Sequence, residues 1–295
     1  MLETISLCPV CGNSTFDSFL ACKDYLVSNQ NFAIQQCQQC NFRLTNPRPN
    51  ADSIGSYYKS EQYVSHNDES SGLINTAYRL VRNYTLKSKL SLIKKLNGDK
   101  QGTILDVGCG TGAFLEACQS GGWQVTGMEP DSDARAVALK KLQAEIKPDL
   151  KALAGVKPFN IITLWHVLEH IPILNETIPQ LHELLAEQGT LLVAVPNSES
   201  YDARVFKQYW AAYDVPRHLH HFTPSTIEPL FKKHGFKLTG QRPMLFDAFY
   251  IAMLSTRYET GKTNYFKSVQ IGLSSNAEAK RTGNYSSLIY LFKKD

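Results

Sequence analysis

The run Leu105-Asp106-Val107-Gly108-Cys109-Gly110-Thr111-Gly112 constrains this chain more than any other, because it ends an apolar strand in a carboxylate and then places three glycines in five residues. Glycines there let the backbone approach a ligand, and the helix expected to follow offers free N–H groups to an anion. From about residue 102 a rhythm of strand and helix sets in. Thr103–Val107, Trp123–Met128, Phe159–Leu164 and Gly189–Val195 are short apolar runs, with helical stretches near 112–120, 131–143 and 174–187 between them. Continuous apolar strands alternating with helices predict an α/β fold, a parallel sheet covered on both faces. Further on, the pattern predicts a helix at about 224–234 opened by Thr223-Pro224, a strand near 236–244, a helical insertion at about 247–280 and a last strand near 287–293.

With 295 residues, 43% of them hydrophobic, the chain has material for one large core plus small attachments. Its 31 basic and 27 acidic residues give +4, too small an excess to hold a phosphate polymer by charge alone. Nucleic acid is therefore not an expected partner. No apolar run reaches the roughly 18–20 residues that span a bilayer, and Met1–Leu7 has neither the basic start nor the apolar core of a signal peptide. A cytoplasmic protein is expected, its oligomeric state left open.

Four of the seven cysteines form two pairs, Cys8-Pro9-Val10-Cys11 and Cys37-Gln38-Gln39-Cys40. Thiolates three residues apart on a tight turn share one ion, and two such knuckles supply the four sulfurs that structural zinc prefers. Residues 1–46 have too little apolar material for a core of their own, so a metal staple is the expected solution, and the brief strands around Phe32–Cys37 and Phe42–Leu44 fit a zinc ribbon. Residues 1–60 carry four basic and four acidic side chains, and four thiolates with one zinc would add negative charge, the wrong field for a nucleic-acid reader. Cys22, Cys109 and Cys118 have no sequence partner and are expected to pack. Asn46-Pro47-Arg48-Pro49-Asn50 reads as an extended linker, and a helix is expected over about 73–96.

The glycine loop also satisfies the dinucleotide fingerprint G-x-G-x-x-[GA], a weak signal alone. Three features argue against a dinucleotide. Asp106 puts a carboxylate where a pyrophosphate would be repelled and an ammonium welcomed. Glu129 ends the next strand, placed to accept hydrogen bonds from ribose hydroxyls, and Trp165-His166-Val167-Leu168-Glu169-His170 follows a later strand.

Through LDVGCGTG, Glu129 and VLEH at 167–170, the chain resembles the class I S-adenosylmethionine-dependent methyltransferases over about residues 75–245. The resemblance implies a Rossmann-like seven-stranded sheet whose glycine loop binds the methionine part of the cofactor, with Glu129 on the ribose. Asp106 and Gly108 would line the amino-acid end, with Cys109, Gly110 and Gly112 in the loop, Pro130 beside Glu129, Trp165 and His166 nearby, and Asp149 and Leu150 toward the adenine. His166-x-x-Glu169-His170 spells an inverted zincin motif, but it stands on a turn rather than on the long helix such sites need. Some quinone O-methyltransferases of the resembling group use a carboxylate and a histidine in this region with a divalent ion.

Tyr213-Asp214-Val215-Pro216-Arg217-His218-Leu219-His220-His221-Phe222-Thr223-Pro224 gathers three histidines within four residues, groups that titrate near neutrality. The stretch resembles a subfamily of small-molecule methyltransferases, many encoded among polysaccharide and lipopolysaccharide genes. With the preceding zinc module it is similar also to sugar C-methyltransferases, in which a histidine matching His221 is the proposed base; those enzymes have a carboxylate where this chain has His220. His221 is thus the expected general base, with His220, His218 and Tyr63 as further candidates. Tyr57, Tyr58 and His66 sit with Tyr63 where the resembling enzymes fold a segment over the acceptor.

The expected organisation is a zinc ribbon at 1–46, a linker and lid helix at 47–98, and a methyltransferase domain at 99–295, acting on a small molecule such as a sugar or a glycan or lipopolysaccharide precursor. Ribbon and cofactor site are expected to be independent modules. The rival readings are an RNA base methyltransferase, which charge does not support, and a non-catalytic cofactor-binding scaffold, which the intact loop and Glu129 argue against.

Overall fold

A computed structural model describes residues 1–58, 73–142 and 144–295. Its centre is a seven-stranded sheet. The strands are β6 (Thr103–Val107), β7 (Gln124–Met128), β8 (Glu145–Lys147), β9 (Phe159–Trp165), β10 (Leu185–Pro196), β12 (Phe236–Pro243) and β13 (Ser287–Lys294). Their order is β12-β13-β10-β9-β6-β7-β8. β13 is antiparallel to both neighbours and the other pairings are parallel, so the sheet is mixed where alternation predicted a parallel one. The last strand arrives after a helical pair rather than by a βαβ crossover, which frees its direction.

Successive strand residues point to opposite faces, and both faces are buried. Ile104, Ile161 and Leu192 pack under the lid helix α2 (Leu73–Leu96), which follows the short α1 (Ala51–Ile54), and under α3 (Ala113–Ser120) and α4 (Ser132–Leu142). Leu105, Ile162 and Val193 face α5 (Leu174–Leu184) and α7 (Pro224–Lys232). α5 stops at 184, three residues before its expected end, because Leu185 is already extended (ψ 134°) and pairs with Phe159. The helical insertion is two helices, α8 (Asp247–Thr260) and α9 (Tyr265–Thr282), split by Gly261 at φ 80°. They pack with α6 (Tyr201–Phe206). No helix among the described residues is long and apolar enough to cross a membrane.

The N-terminal segment is not a free-standing module. Its strands β2 (Phe16–Lys23), β3 (Asn31–Cys37) and β4 (Arg43–Thr45) form a sheet whose fourth strand, β11 (His220–His221), comes from the histidine segment. The register sets His220 opposite Leu44 and His221 opposite Arg43. β1 (Leu2–Glu3) pairs with β5 (Arg48–Pro49) alongside. Buried Arg217 bonds Asp24 at 3.1 Å and Asp214 at 2.6 Å, tying the two parts by charge as well as by strand pairing. Phe42 and Leu44 join the core cluster that contains α5 and α7, which is how a segment too small for its own core obtains one. Cys22, Cys109 and Cys118 are buried among apolar neighbours, as expected of packing cysteines.

Candidate active site

The glycine loop leaves the carboxyl end of β6 with Gly108, Gly110 and Gly112 all at positive φ. Gly108 has a second reason to lack a side chain: a Cβ there would lie 2.5 Å from Val167. Glu129 closes the loop from β7. Its Oε2 accepts the Gly110 N–H at 2.8 Å and its Oε1 the Asp131 N–H at 2.9 Å, so the carboxylate is held in place by the backbone on both sides. Asp106 lies beneath the loop at 3% exposure, accepting the Thr163 hydroxyl at 2.6 Å. Burial pushes its carboxyl up to about 7, against the pull of that hydrogen bond and of the Lys89 ammonium.

Lys89, from the lid helix, stands 4.0 Å over the Trp165 ring, with burial lowering its pKa and Asp106 and Asp247 opposing that change. Trp165 Nε1 is buried and finds no acceptor among the described residues. His166 takes a left-handed backbone (φ 57°) and lies between two carboxylates, Asp247 at 3.2 Å and Glu169 at 3.5 Å. Burial alone would lower its pKa, but the two acids hold it protonated, up to about 9. Lys89, Thr163 and Asp247 were not legible in the sequence; the signal for Thr163 was a polar residue inside an apolar strand, and the other two carried none.

The remaining cofactor candidates divide. Cys109 packs under the loop, and the Pro130 carbonyl accepts from Arg135 at 2.9 Å. Asp149 caps a short turn through the Ala152 N–H at 2.9 Å, and Leu150 is buried in the core. A carboxylate for an ammonium, another for a diol, a backbone cradle and a lysine suited to a carboxylate together fit S-adenosylmethionine, and the orphaned Trp165 N–H leaves one donor for it.

The histidines occupy the seam between the N-terminal sheet and the domain. His221 Nε2 is 3.1 Å from Thr45 Oγ1, which itself donates to the His218 carbonyl, so His221 is the donor of that pair. Burial, then the neighbouring charges of His218, His220 and Arg43, holds its pKa well below the usual value. His220 donates Nε2–H to the Ile171 carbonyl at 3.0 Å; its Nδ1 is buried with no hydrogen-bond partner among the described residues, and burial lowers its pKa to about 3. His218 donates Nδ1–H to the Ala212 carbonyl at 2.8 Å, which leaves the Nε2 lone pair free, 4.0 Å from Asp214. Its ring meets His170 edge-on at 4.6 Å. His170 Nδ1 is 3.0 Å from both the Tyr58 hydroxyl and the Arg217 carbonyl, and burial lowers its pKa to about 4. Tyr63 and His66 lie outside the described residues.

Two side-chain groups have the chemistry of metal sites. The sulfurs of Cys8, Cys11, Cys37 and Cys40 all lie within 4.8 Å of one another, with Cys8–Cys40 and Cys11–Cys37 at 3.5 Å. A zinc tetrahedron with Zn–S bonds near 2.3 Å has edges of about 3.8 Å, so the four thiols fit it. Glu169, His170 and His218 also bring ligand atoms within 4.8 Å of one another, and among the described residues the nearest partner of the Glu169 carboxylate outside this cluster is His166 at 3.5 Å.

A family described as a methyltransferase domain matches residues 78–241, more than half of the chain. A ubiquinone biosynthesis O-methyltransferase of Bordetella avium is 27% identical over 173 residues, covering 53% of this chain and 71% of that protein. The enzyme of the same name from Glaesserella parasuis is 28% identical over 142 residues, covering 43% of this chain and 60% of the relative. Among solved structures, the magnesium protoporphyrin IX methyltransferase of Synechocystis PCC 6803 with bound SAH aligns at a TM-score of 0.54 and 14% identity, over 83% of this chain and all of that one. That likeness speaks for the fold. The chain belongs to the methyltransferase-domain family, as a class I S-adenosylmethionine-dependent methyltransferase.

Proposed function

We propose that this protein transfers a methyl group from S-adenosylmethionine to a hydroxyl of a small molecule held at the seam between the N-terminal sheet and the carboxyl edge of the central sheet. The observation that carries the reading is the pair of fixed carboxylates around the glycine loop: Asp106 buried below it and Glu129 bonded to the Gly110 N–H at 2.8 Å. When bound, the cofactor supplies an electrophilic methyl on a positively charged sulfur. The chain's own share is to align the acceptor, exclude water and take its proton.

For the proton we choose His218: each of the three histidines keeps one lone-pair nitrogen, but that of His218 lies 4.0 Å from the Asp214 carboxylate, which would stabilise the imidazolium, whereas burial lowers the pKa of His220 and His221. His221 remains a candidate through its Nδ1 atom. The relatives named for O-methylation favour an oxygen acceptor, and the sugar and glycan precursors suggested by the sequence contain such hydroxyls. Zinc in the four thiolates would be structural, fixing the knuckles on which β2 to β4 begin and end.

A second reading is favoured by the Glu169, His170 and His218 cluster, which has the donor set for a divalent cation, with the Glu169 carboxylate paired to His166 only at 3.5 Å among the described residues. Calorimetry with S-adenosylmethionine and transfer of labelled methyl to quinone precursors, nucleotide-sugars, lipids and RNA test the function. Label in RNA alone would overturn the small-molecule acceptor. Activity lost to a chelator and restored by magnesium would make His218 a ligand rather than a base.

A further inference from the structure

Between the N-terminal sheet and the domain lies an open cleft of about 500 Å³ that the cofactor residues do not line. Phe19 and Arg43 wall it from the N-terminal side, and Ser198, Arg204, Lys207 and Tyr213 from the domain. We infer that this cleft is an anion subsite that holds a phosphoryl group of the methyl acceptor, an inference that rests on the small-molecule methyltransferase reading above.

Arg43 carries the argument. Its guanidinium lies 4.0 Å over the Phe19 ring. Its Nε donates to the Gln36 side chain at 2.8 Å, and its Nη1 to the carbonyl and hydroxyl of Ser198 at 2.9 and 3.1 Å. Every one of these acceptors is neutral. Among the described residues no carboxylate lies within ion-pair distance of Arg43, although Glu199 acts on it electrostatically, and its Nη2 makes no hydrogen bond. A half-buried guanidinium oriented by a stacked ring and neutral oxygens, with one edge spare, is the arrangement that takes a phosphoryl group in two hydrogen bonds.

Lys207, exposed on the same wall, has no ion-pair partner among the described residues either. Arg204 is already matched by Glu278. Glu199, the acid on the wall, offsets one charge, and the lining stays net positive. Several phosphoryl oxygens can engage guanidinium and ammonium together, which a single carboxylate does less well.

Size and place add to this. The volume exceeds what a phosphate fills, and Phe19, Leu20 and Tyr213 offer apolar faces for the ring that bears it. Ser198 lies two residues beyond β10, whose carboxyl end adjoins that of β9 with Trp165. Tyr213 also packs edge-on against His221, with ring centroids 5.3 Å apart. A ligand anchored by Arg43 thus lies along the edge where the cofactor residues and the histidines meet.

The test is calorimetry of the full chain, first with S-adenosylhomocysteine, then, on the complex, with inorganic pyrophosphate and with uridine diphosphate as probes. Both probes are expected to bind, uridine diphosphate the tighter. Arg43→Gln should weaken both by roughly tenfold or more, the loss expected for charge-assisted hydrogen bonds. Because Arg43 also bridges the two parts of the fold, Lys207→Gln, on an exposed side chain, is the second variant, expected to weaken pyrophosphate by roughly threefold while S-adenosylhomocysteine binds as in the parent. The inference is overturned if neither probe binds the parent at millimolar concentration, or if folded Arg43→Gln and Lys207→Gln bind pyrophosphate as the parent does. Failure of S-adenosylhomocysteine to bind would instead strike the methyltransferase reading itself.

Discussion

Around the glycine loop, the groups that act together are close in sequence: Glu129 bonds Gly110 across 19 positions, and β6, its turn and β7 follow one another. Around the histidines they are far apart. His221 meets Thr45 across 176 positions, Arg217 meets Asp24 across 193, and His220 meets Ile171 across 49. The first region is a local device that any sheet of this kind can hold. The second exists only while the N-terminal sheet is docked, because β4 supplies the partner strand of β11 and Thr45 supplies the partner atom of His221. Cofactor binding should therefore be robust to damage at the seam, and turnover should not.

The largest effect should follow from removing the base. His218→Ala is expected to lower turnover by about 10²- to 10⁴-fold with cofactor affinity unchanged, since proton transfer is lost and positioning survives. The measurement is the kcat of labelled methyl transfer beside a calorimetric Kd. Equal activity in His218→Ala, with a hundredfold loss in His221→Ala, would move the role to His221.

Next in size is the cofactor end. Glu129→Ala should weaken S-adenosylhomocysteine by about 1.5–3 kcal/mol, roughly 10- to 150-fold, the range for hydrogen bonds to a charged acceptor. The variant also frees the Gly110 and Asp131 N–H groups that Glu129 now holds, so Glu129→Gln, which keeps an acceptor, should lose less. Wild-type affinity in Glu129→Ala, with stabilisation by NADH instead, would mean that the glycine loop serves a dinucleotide.

The pH dependence comes third. Asp106 has its pKa raised to about 7 by burial, so the free protein carries it largely protonated at pH 6 and ionised at pH 8. An ammonium docked beside it favours the ionised form, and binding then releases a proton below that pKa. Affinity for S-adenosylhomocysteine should fall as pH drops, by roughly tenfold from pH 8 to pH 6, one unit of pKa costing a factor of ten. Asp106→Asn should flatten the profile. A slope of opposite sign would mean that the ammonium does not sit there.

The same contrast explains what was legible. The strand and helix rhythm located the long strands and the glycine loop because continuous apolar runs and glycine spacing are local signals. It missed β8, since Glu145-Ile146-Lys147 is too short and polar to read as a strand, and it missed the reversed direction of β13, which pairing alone decides. The four cysteines were legible from spacing, and the structure gathers their sulfurs. Lys89 and Asp247 were not, because the lid helix and α8 bring them to Trp165 and His166 from opposite sides of the motif. The histidines stood out as a cluster, yet nothing in their sequence says that His218 donates to Ala212 or that His221 donates to Thr45, and those bonds determine which nitrogen keeps its lone pair.

The smallest effect expected on the cofactor comes from the metal knuckles. Cys37 is fully buried and stands at the end of β3, the strand that pairs β4, which in turn pairs β11. Cys37→Ser removes one of four ligands for zinc and should abolish stoichiometric zinc, which metal analysis reads directly. Independent modules would leave the rest of the chain untouched. The shared sheet predicts instead that amide exchange rises at residues 218–222 and that turnover falls, because the Thr45 and His221 pair loosens with β4. The loop from Gly108 to Gly112 takes its support from β6, β7 and α3, none of which pairs with the N-terminal sheet. S-adenosylhomocysteine affinity should therefore change by less than about twofold, near the additivity limit for distant sites. If amide protection at 218–222 is unaltered in the zinc-free variant, the seam does not depend on the metal. If affinity falls tenfold along with turnover, the cofactor loop is not the self-sufficient device that its local hydrogen bonds describe.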